Sequence, residues 1–467
     1  MGKVLAVLVL LLVAAGAVWH FAGKADPPVI EIAQPAQRVG QTGQLDVTVT
    51  APGGKLTRLE ISLQQGGERL PLADLSATEI ATLERQGENA VRYTRAIGKR
   101  DLPALEAGPV TVVVSAARPV LFGLREVSAA TSHTVEVRLA PPVIAVASRF
   151  HFINHGGSEM VVYRVRPGDV ESGVRVGDVE YPGYPASGAG IENADPGLRV
   201  AFFALLWDQP VDAPITLYAR DEVGNEARAG FDHRVFEKQF RESRITLSDG
   251  FLQKVVPEIL YNTPGFTVED SSDLLASYLR INGDLRRQNR AAIAELAKST
   301  APEILWQGPF KQLVNTAVEA GFADQRTYVY DGEAVDHQVH LGYDLASVAN
   351  APVLAANSGR VVHAGWLGIF GNCVILDHGM GLQSLYAHLS AVDVNVGDNV
   401  QKNQRLGLSG STGLAGGDHL HFTMLLAGHA ITPIDWWSEQ WVQDRILRKL
   451  REAGPGEAAA PASSGGG

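Results

Sequence analysis

Along the chain, hydrophobic and polar positions follow different rules in different stretches. Val4 to Trp19 is an unbroken apolar run behind Lys3, with no polar face. A positive charge ahead of such a run directs export and keeps the N-terminus inside. The run is shorter than the roughly 20 residues that cross a bilayer, but His20, Phe21 and Ala22 extend it, and Ala15-Gly16-Ala17 offers a cleavage site. Residues 1–25 therefore read as a membrane anchor or a signal peptide. Either one delivers the rest of the chain outside the cytoplasm.

The next stretch alternates. Leu45–Thr50, Leu59–Leu63 and Val110–Val114 have a period of two, and so do Met160–Val165, Val200–Trp207 and Ile215–Ala219. That period buries one face of a strand and wets the other. Pro27-Pro28-Val29-Ile30 recurs as Pro141-Pro142-Val143-Ile144, and each copy opens one of the two alternating regions. Two β-sandwiches are predicted, over 26–140 and 141–237, with the immunoglobulin-like arrangement as the default. Val223-Gly224-Asn225 has the character of a hairpin tip. After residue 237 the period lengthens. Ser271-Ser272-Asp273 offers an N-cap ahead of a stripe of Leu274, Leu275, Tyr278 and Leu279, Asn282-Gly283 interrupts it, and Arg286–Ala297 reads as a second helix. Residues 238–325 thus form a small helical segment. Alternation with Gly-rich turns returns from Tyr328 to Trp437, predicting a β-rich domain over 326–442. The tail 443–467 ends in a low-complexity run from Pro455 that reads as disordered. The fold class expected is mainly β.

Composition narrows the functions available. Hydrophobic residues are 45% and charged residues 19% of the chain, a globular balance. A net charge of -11 removes the clustered cations that phosphate binding needs, so no nucleic-acid partner is expected. A single cysteine, Cys373, excludes an intramolecular disulfide and a Cys-rich zinc site. Its setting, Gly-Asn-Cys-Val-Ile-Leu, is that of a buried strand residue.

The candidate chemistry lies in the histidines. His340-Leu-Gly-Tyr-Asp344 places an imidazole and a carboxylate four residues apart around a glycine. Tyr386-Ala-His388 closes an apolar strand, and His419-Leu-His421-Phe follows the Gly-rich stretch 410–417. Residues two apart on a strand share a face, so His419 and His421 enter one pocket while Leu420 and Phe422 face the core. Imidazole plus carboxylate suits Zn²⁺, and three protein ligands with an open fourth position mark a catalytic site. No His-Glu-x-x-His helix is present, so proton transfer falls to remaining histidines. His337 is a competing ligand, whereas His363, His378 and His429 read as structural. Tyr343, Tyr386 and Trp366 either line a groove or pack in the core. The Gly-rich stretch lacks the Lys-Ser/Thr ending of a phosphate loop and reads as a turn.

In this order and spacing, His340-x-Gly-x-Asp344, Tyr386-Ala-His388-Leu-Ser, Gly410-Ser-Thr-Gly and His419-Leu-His421-Phe resemble the lysostaphin-type (LytM-like) metallopeptidases over roughly residues 326–436. The resemblance implies one zinc per chain on His340, Asp344 and His421, with His388 and His419 as the catalytic pair. It also implies an extracytoplasmic endopeptidase cutting the peptide cross-links of peptidoglycan, a substrate that becomes the principal partner. The membrane is a second partner through the N-terminal segment, and the sandwiches offer surfaces to other envelope proteins. The rival expectation is a catalytically idle relative that activates a cell-wall amidase. All five positions are filled here, which favours the enzyme. Asp418 and Thr423 depart from the usual proline and glutamate, and both are expected to stay clear of the ligands.

Overall fold

The computed structural model describes residues 2–53 and 55–454, so the low-complexity end from Pro455 lies outside the described residues. The described chain is mainly β and divides into two compact units, the first comprising residues up to Pro141 with Arg220–Glu226, the second the remainder.

The first unit begins with helix α1 (Gly2–Ala22), whose side chains are all solvent-facing. At 1.5 Å per residue its 21 residues are long enough to cross a membrane by length and composition. A sandwich follows. One sheet holds four strands, in the order Val29–Gln34, Gln44–Thr50, Ala90–Ala96, Glu84–Arg85; the other holds five, including a long antiparallel hairpin of Gly108–Val120 with Arg125–Val137. Leu45, Val47 and Val49 face Leu59, Ile61 and Leu63 of the opposite sheet and are almost wholly buried.

The second unit opens with another pair of four-stranded sheets. The 221–225 turn joins strands Ile215–Arg220 and Glu226–Gly230, which pair as the hairpin reading expects. Next come strand β1 (Glu242–Thr246) and three helices, α2 (Asp249–Asn262), α3 (Leu274–Arg280) and α4 (Arg286–Ala297). Asp273 caps α3 through the Ala276 amide. Asn282-Gly283 does not break the helix as expected. The backbone runs through a widened, π-type turn over Ile281–Leu285 straight into α4, and buried Ile281 and Leu285 hold that turn against the core.

Beyond a small sheet of Pro352–Leu354, Arg405–Leu408 and Ala391–Val392, the remaining strands are β2 (Ala317–Ala320), β3 (Asp324–Tyr330), β4 (Glu333–His340), β5 (Tyr343–Ala346), β6 (Gly359–Trp366), β7 (Asn372–Gly379), β8 (Leu382–Leu389), β9 (Asn399–Val400), β10 (Leu420–Leu426) and β11 (His429–Ile431). The main sheet has the order β2-β5-β10-β8-β7-β6-β9, with β11 on the free part of β10, while β1, β3 and β4 make a separate ribbon. Alternation gives the main sheet two faces. Val374, Leu376, Tyr386, Phe422 and Met424 join one core with Phe202 and Val200 of the sandwich and with Trp306 and Trp436. Cys373, Ile375, Leu385 and Leu425 point the other way and are covered by Ile293 of α4. Gly428 explains how closely α4 approaches: a Cβ there would lie 2.7 Å from the Ala294 Cα. Residues beyond 442 remain helical to Ala453, and Val442, Ile446 and Leu450 are buried in the shared core.

Candidate metal centre

The α4-facing side of the main sheet also carries the polar cluster. β4 ends at His340, and Leu341-Gly342 carries the chain on from the ribbon into β5 of the main sheet, where Asp344 pairs with His421 of β10 and His421 with Ala387 of β8. Gly342 is dictated by proximity, since a Cβ there would meet the His421 ring and the Thr423 hydroxyl at 2.6 Å. His388 follows at the end of β8 with φ +62°, a left-handed backbone rare for a residue with a Cβ; such strain concentrates at functional positions. His419 sits one residue ahead of β10, fixed by a bridge to Gly410. All five side chains are buried and line one cavity of about 480 Å³.

Hydrogen bonds on the outer atoms set the inner ones. His340 Nδ1 must donate to the Gly321 carbonyl at 2.9 Å, which leaves Nε2 with its lone pair directed inward. The Thr423 hydroxyl donates to the Leu341 carbonyl at 2.9 Å, so its oxygen accepts from His421 Nε2 at 3.0 Å and His421 Nδ1 is the lone-pair atom. Asp344 Oδ1 lies 2.9 Å from both His340 Nε2 and His421 Nδ1, and those nitrogens are 3.0 Å apart. Three acceptor atoms facing one another at such distances repel unless a cation sits among them. The donor set, two imidazoles and a carboxylate with their outer atoms tied down, fits a zinc ion. Asp344 Oδ2 accepts from Arg326 Nη2 at 3.1 Å, which leaves Oδ1 for the centre.

The other two histidines are oriented the same way. His388 Nδ1 donates to the Thr412 carbonyl at 2.8 Å and His419 Nδ1 to the Gly417 carbonyl at 2.9 Å, so both Nε2 atoms face the cavity, that of His419 lying 3.5 Å from Asp344 Oδ1. Their rings stand 4.9 Å apart. Burial, with the neighbouring His419 and His421, pushes His388 well below the ordinary histidine range. Burial also pulls on His419, but its hydrogen bond to Asp344 and that carboxylate's charge outweigh it and raise its pKa. Burial takes His421 down to about 4. Asp344 is opposed by burial yet held well below the usual carboxylate range by His340, His419 and His421.

The structure thus brings His340, Asp344, His388, His419 and His421 together. It leaves out His337, an exposed residue bonded to Thr327 on the ribbon, while His378 is a buried structural histidine between Ser358 and Ser384. Tyr386, Tyr343 and Trp366 are packing residues: the Tyr386 hydroxyl takes the Ala356 amide, Tyr343 stacks edge-on to Trp437, and Trp366 bonds Thr263. Asp418 stays clear of the ligands and organises its loop through Ser409 and Asn350. Thr423 does not, because its hydroxyl lies directly on His421, which overturns the expectation made for that position. Arg326 also escaped the sequence reading, since an arginine in an ordinary strand carries no local signal.

A β-sheet bearing a His-Asp-His donor set on one face, with two more imidazoles beside it, is a set of groups able to hold a metal ion. The family follows from comparison. Residues 338–433 match the model of peptidase family M23, and this domain belongs to it, a LytM-like, lysostaphin-type peptidase domain. Over 97 residues the chain is 37% identical to the DD-carboxypeptidase/endopeptidase Mpg of Neisseria meningitidis, covering 21% of this chain and 22% of that protein. It is 37% identical over 92 residues to the peptidoglycan DD-endopeptidase ShyA of Vibrio cholerae, covering 20% and 21%. The chain therefore spans about a fifth of the length of the curated relatives it matches. Among solved structures, a putative peptidase M23 from Pseudomonas aeruginosa aligns over 60% of this chain and 93% of its own, at 20% identity and a TM-score of 0.37.

Proposed function

We propose that this protein is a zinc-dependent endopeptidase that hydrolyses the peptide cross-links of peptidoglycan, held outside the cytoplasm by α1 or released there after its removal. The observation that carries the reading is the convergence of His340 Nε2, Asp344 Oδ1 and His421 Nδ1 within 3.0 Å, each with its outer atom already bonded. These three residues would hold the metal. A zinc ion there supplies Lewis acidity, polarising a carbonyl and lowering the pKa of water to roughly 7. The chain's own residues do the rest. His388, neutral and with Nε2 free, receives the proton of the attacking water, and its Nδ1–H···O=C Thr412 bond fixes the ring for that transfer. His419 keeps its proton more readily because of Asp344 and donates a hydrogen bond towards the developing oxyanion. The relatives named as peptidoglycan DD-endopeptidase and DD-carboxypeptidase/endopeptidase support the substrate class.

Metal analysis tests the centre itself. The purified protein is expected to hold about one zinc per chain, as a single three-ligand site requires, and His340→Ala and Asp344→Ala to lose it. Unchanged zinc in both variants would show the ligands to be elsewhere. The rival role, an amidase activator, predicts a zinc-loaded or zinc-free protein that leaves purified wall intact until an amidase is added.

A further inference from the structure

A second cavity, of about 370 Å³, adjoins the catalytic one on the far side of His340 and His421. Its floor is the α4-facing side of the main sheet, with Leu385, Thr423 and Leu425, and its wall is α4 itself. It shares Arg286, Ile369 and Phe370 with the catalytic cavity, so a chain lying across the metal centre along the sheet runs into it. Its size falls in the range of small-ligand pockets, roughly 300–1,000 Å³.

The lining is apolar except at one place. Arg286 and Arg290, one turn apart on α4, both face the cavity. Arg286 spends its Nε and one Nη on the carbonyl and side-chain oxygens of Asn282. Arg290 has no hydrogen-bond acceptor among the described residues, and neither arginine sits in an ion pair there. The lining carries two permanent cations against a single carboxylate, Asp208. Burial is costly for Arg286, and Arg290 feels the repulsion of Arg286, partly offset by Asp208. A planar anion placed between them relieves that cost, and the guanidinium fork matches a carboxylate above other small anions of a peptide.

We propose that the Arg286–Arg290 cavity is a substrate subsite that takes the free carboxylate of a peptide residue flanking the scissile bond. The proposal rests on the peptidase reading and specifies its substrate: a cross-linked peptide with an uncapped carboxylate beside the cut amide is preferred over the same peptide amidated. Arg290 carries the test, because it is solvent-facing and bonded to nothing the fold needs, whereas Arg286 anchors the π-type turn.

The experiment compares one synthetic cross-linked peptide in carboxylate and carboxamide forms on the zinc-loaded full chain in detergent. The parent should favour the carboxylate by about tenfold or more in kcat/KM, the size of one charge-assisted hydrogen bond. R290Q should bring the two peptides within about twofold of each other, mainly through KM, and R290K should recover part of the gap. Equilibrium binding of both peptides to zinc-loaded H388A supplies a readout that needs no turnover. If the parent cuts neither peptide but H388A still binds the carboxylate form more tightly, the peptidase reading fails and the subsite stands. Equal binding of the two forms, or an R290Q variant that keeps the parental preference while melting at the parental temperature, would overturn the subsite.

Discussion

The hydroxyl of Thr423 stands between the Leu341 carbonyl and His421 Nε2, so one side chain sets both the tautomer and the tilt of a candidate ligand. Thr423→Val keeps the shape and removes the bond. The expected result is a zinc affinity lower by about 10–100-fold, the usual effect of deleting a partner behind a metal ligand, measured by chelator competition, with the melting temperature little changed. An unaltered affinity would mean that the hydroxyl is incidental. At this scale the histidines and Asp344 were legible because their spacing is local: two apart on a strand, or four apart around a glycine that must be small. Thr423 obeys the same rule, two residues after His421 on one strand, and was misjudged although the spacing placed it there. Arg326 was not legible, because its role comes from a ribbon folded against the sheet, which brings distant residues together without marking the sequence. Cys373 was read from its neighbours as a strand residue, and it is fully buried, its thiol pushed up by that burial.

Among elements, the central strands of the main sheet are covered on both faces and buried almost throughout, and the helices show where pattern misleads. Asn282-Gly283 reads as a break, yet the chain bridges it with a π-type turn that keeps α4 over the catalytic face. The α2 helix, which has no counterpart among the expected elements, buries Leu252, Val255, Val256 and Ile259 at helical period with Pro257 inside it. The C-terminal helices bury Val442, Ile446 and Leu450 at helical spacing, and buried polar contacts to the sandwich, which no local pattern marks, add to that stripe. Lys449 pairs with Glu159 at 2.8 Å, and Asp435 accepts from Asn154 at 2.9 Å while its other oxygen is buried without a partner. Burial raises Asp435 to about 6. A carboxyl whose folded pKa lies above its unfolded value of 3.8 contributes stability in full below that value, and the contribution is lost as pH rises through about 6. The loss is at most about 3 kcal/mol from the shift. Asp435→Asn should therefore be more stable than the parent at pH 8 and indistinguishable near pH 3.5, as read by denaturant unfolding at the two pH values. A variant less stable at pH 8 would contradict the assignment.

For the molecule as a whole, the sandwich of residues 142–219 and the main sheet share one core. Phe202 and Trp306 both pack on Trp436, with ring centroids 5.8 and 5.4 Å away. Sequence pattern shows that each face of a sheet needs a cover, but not which distant element supplies it, so this union was invisible from the strands alone. It bears on the smallest independent piece. A fragment of residues 326–442 lacks β2 and α4 and exposes the Tyr386–Phe422 face to water, so it should aggregate or melt without a cooperative transition. A fragment of residues 142–454 keeps the shared core and should unfold in one step by calorimetry. A well-folded 326–442 fragment would show that the shared core is dispensable.

The central claim is that five residues on one sheet face cut peptide cross-links, and the products show this most directly. Purified peptidoglycan is digested with the zinc-loaded protein and with zinc-loaded His388→Ala, and the fragments are identified by mass spectrometry. The account predicts that the parent converts cross-linked dimers to monomers with new amino and carboxyl ends. His388→Ala, its zinc retained, should do so about 10²–10⁴-fold more slowly, the range for loss of a general base. Cross-links left intact by the zinc-loaded parent, or cleaved equally fast by His388→Ala, would contradict it.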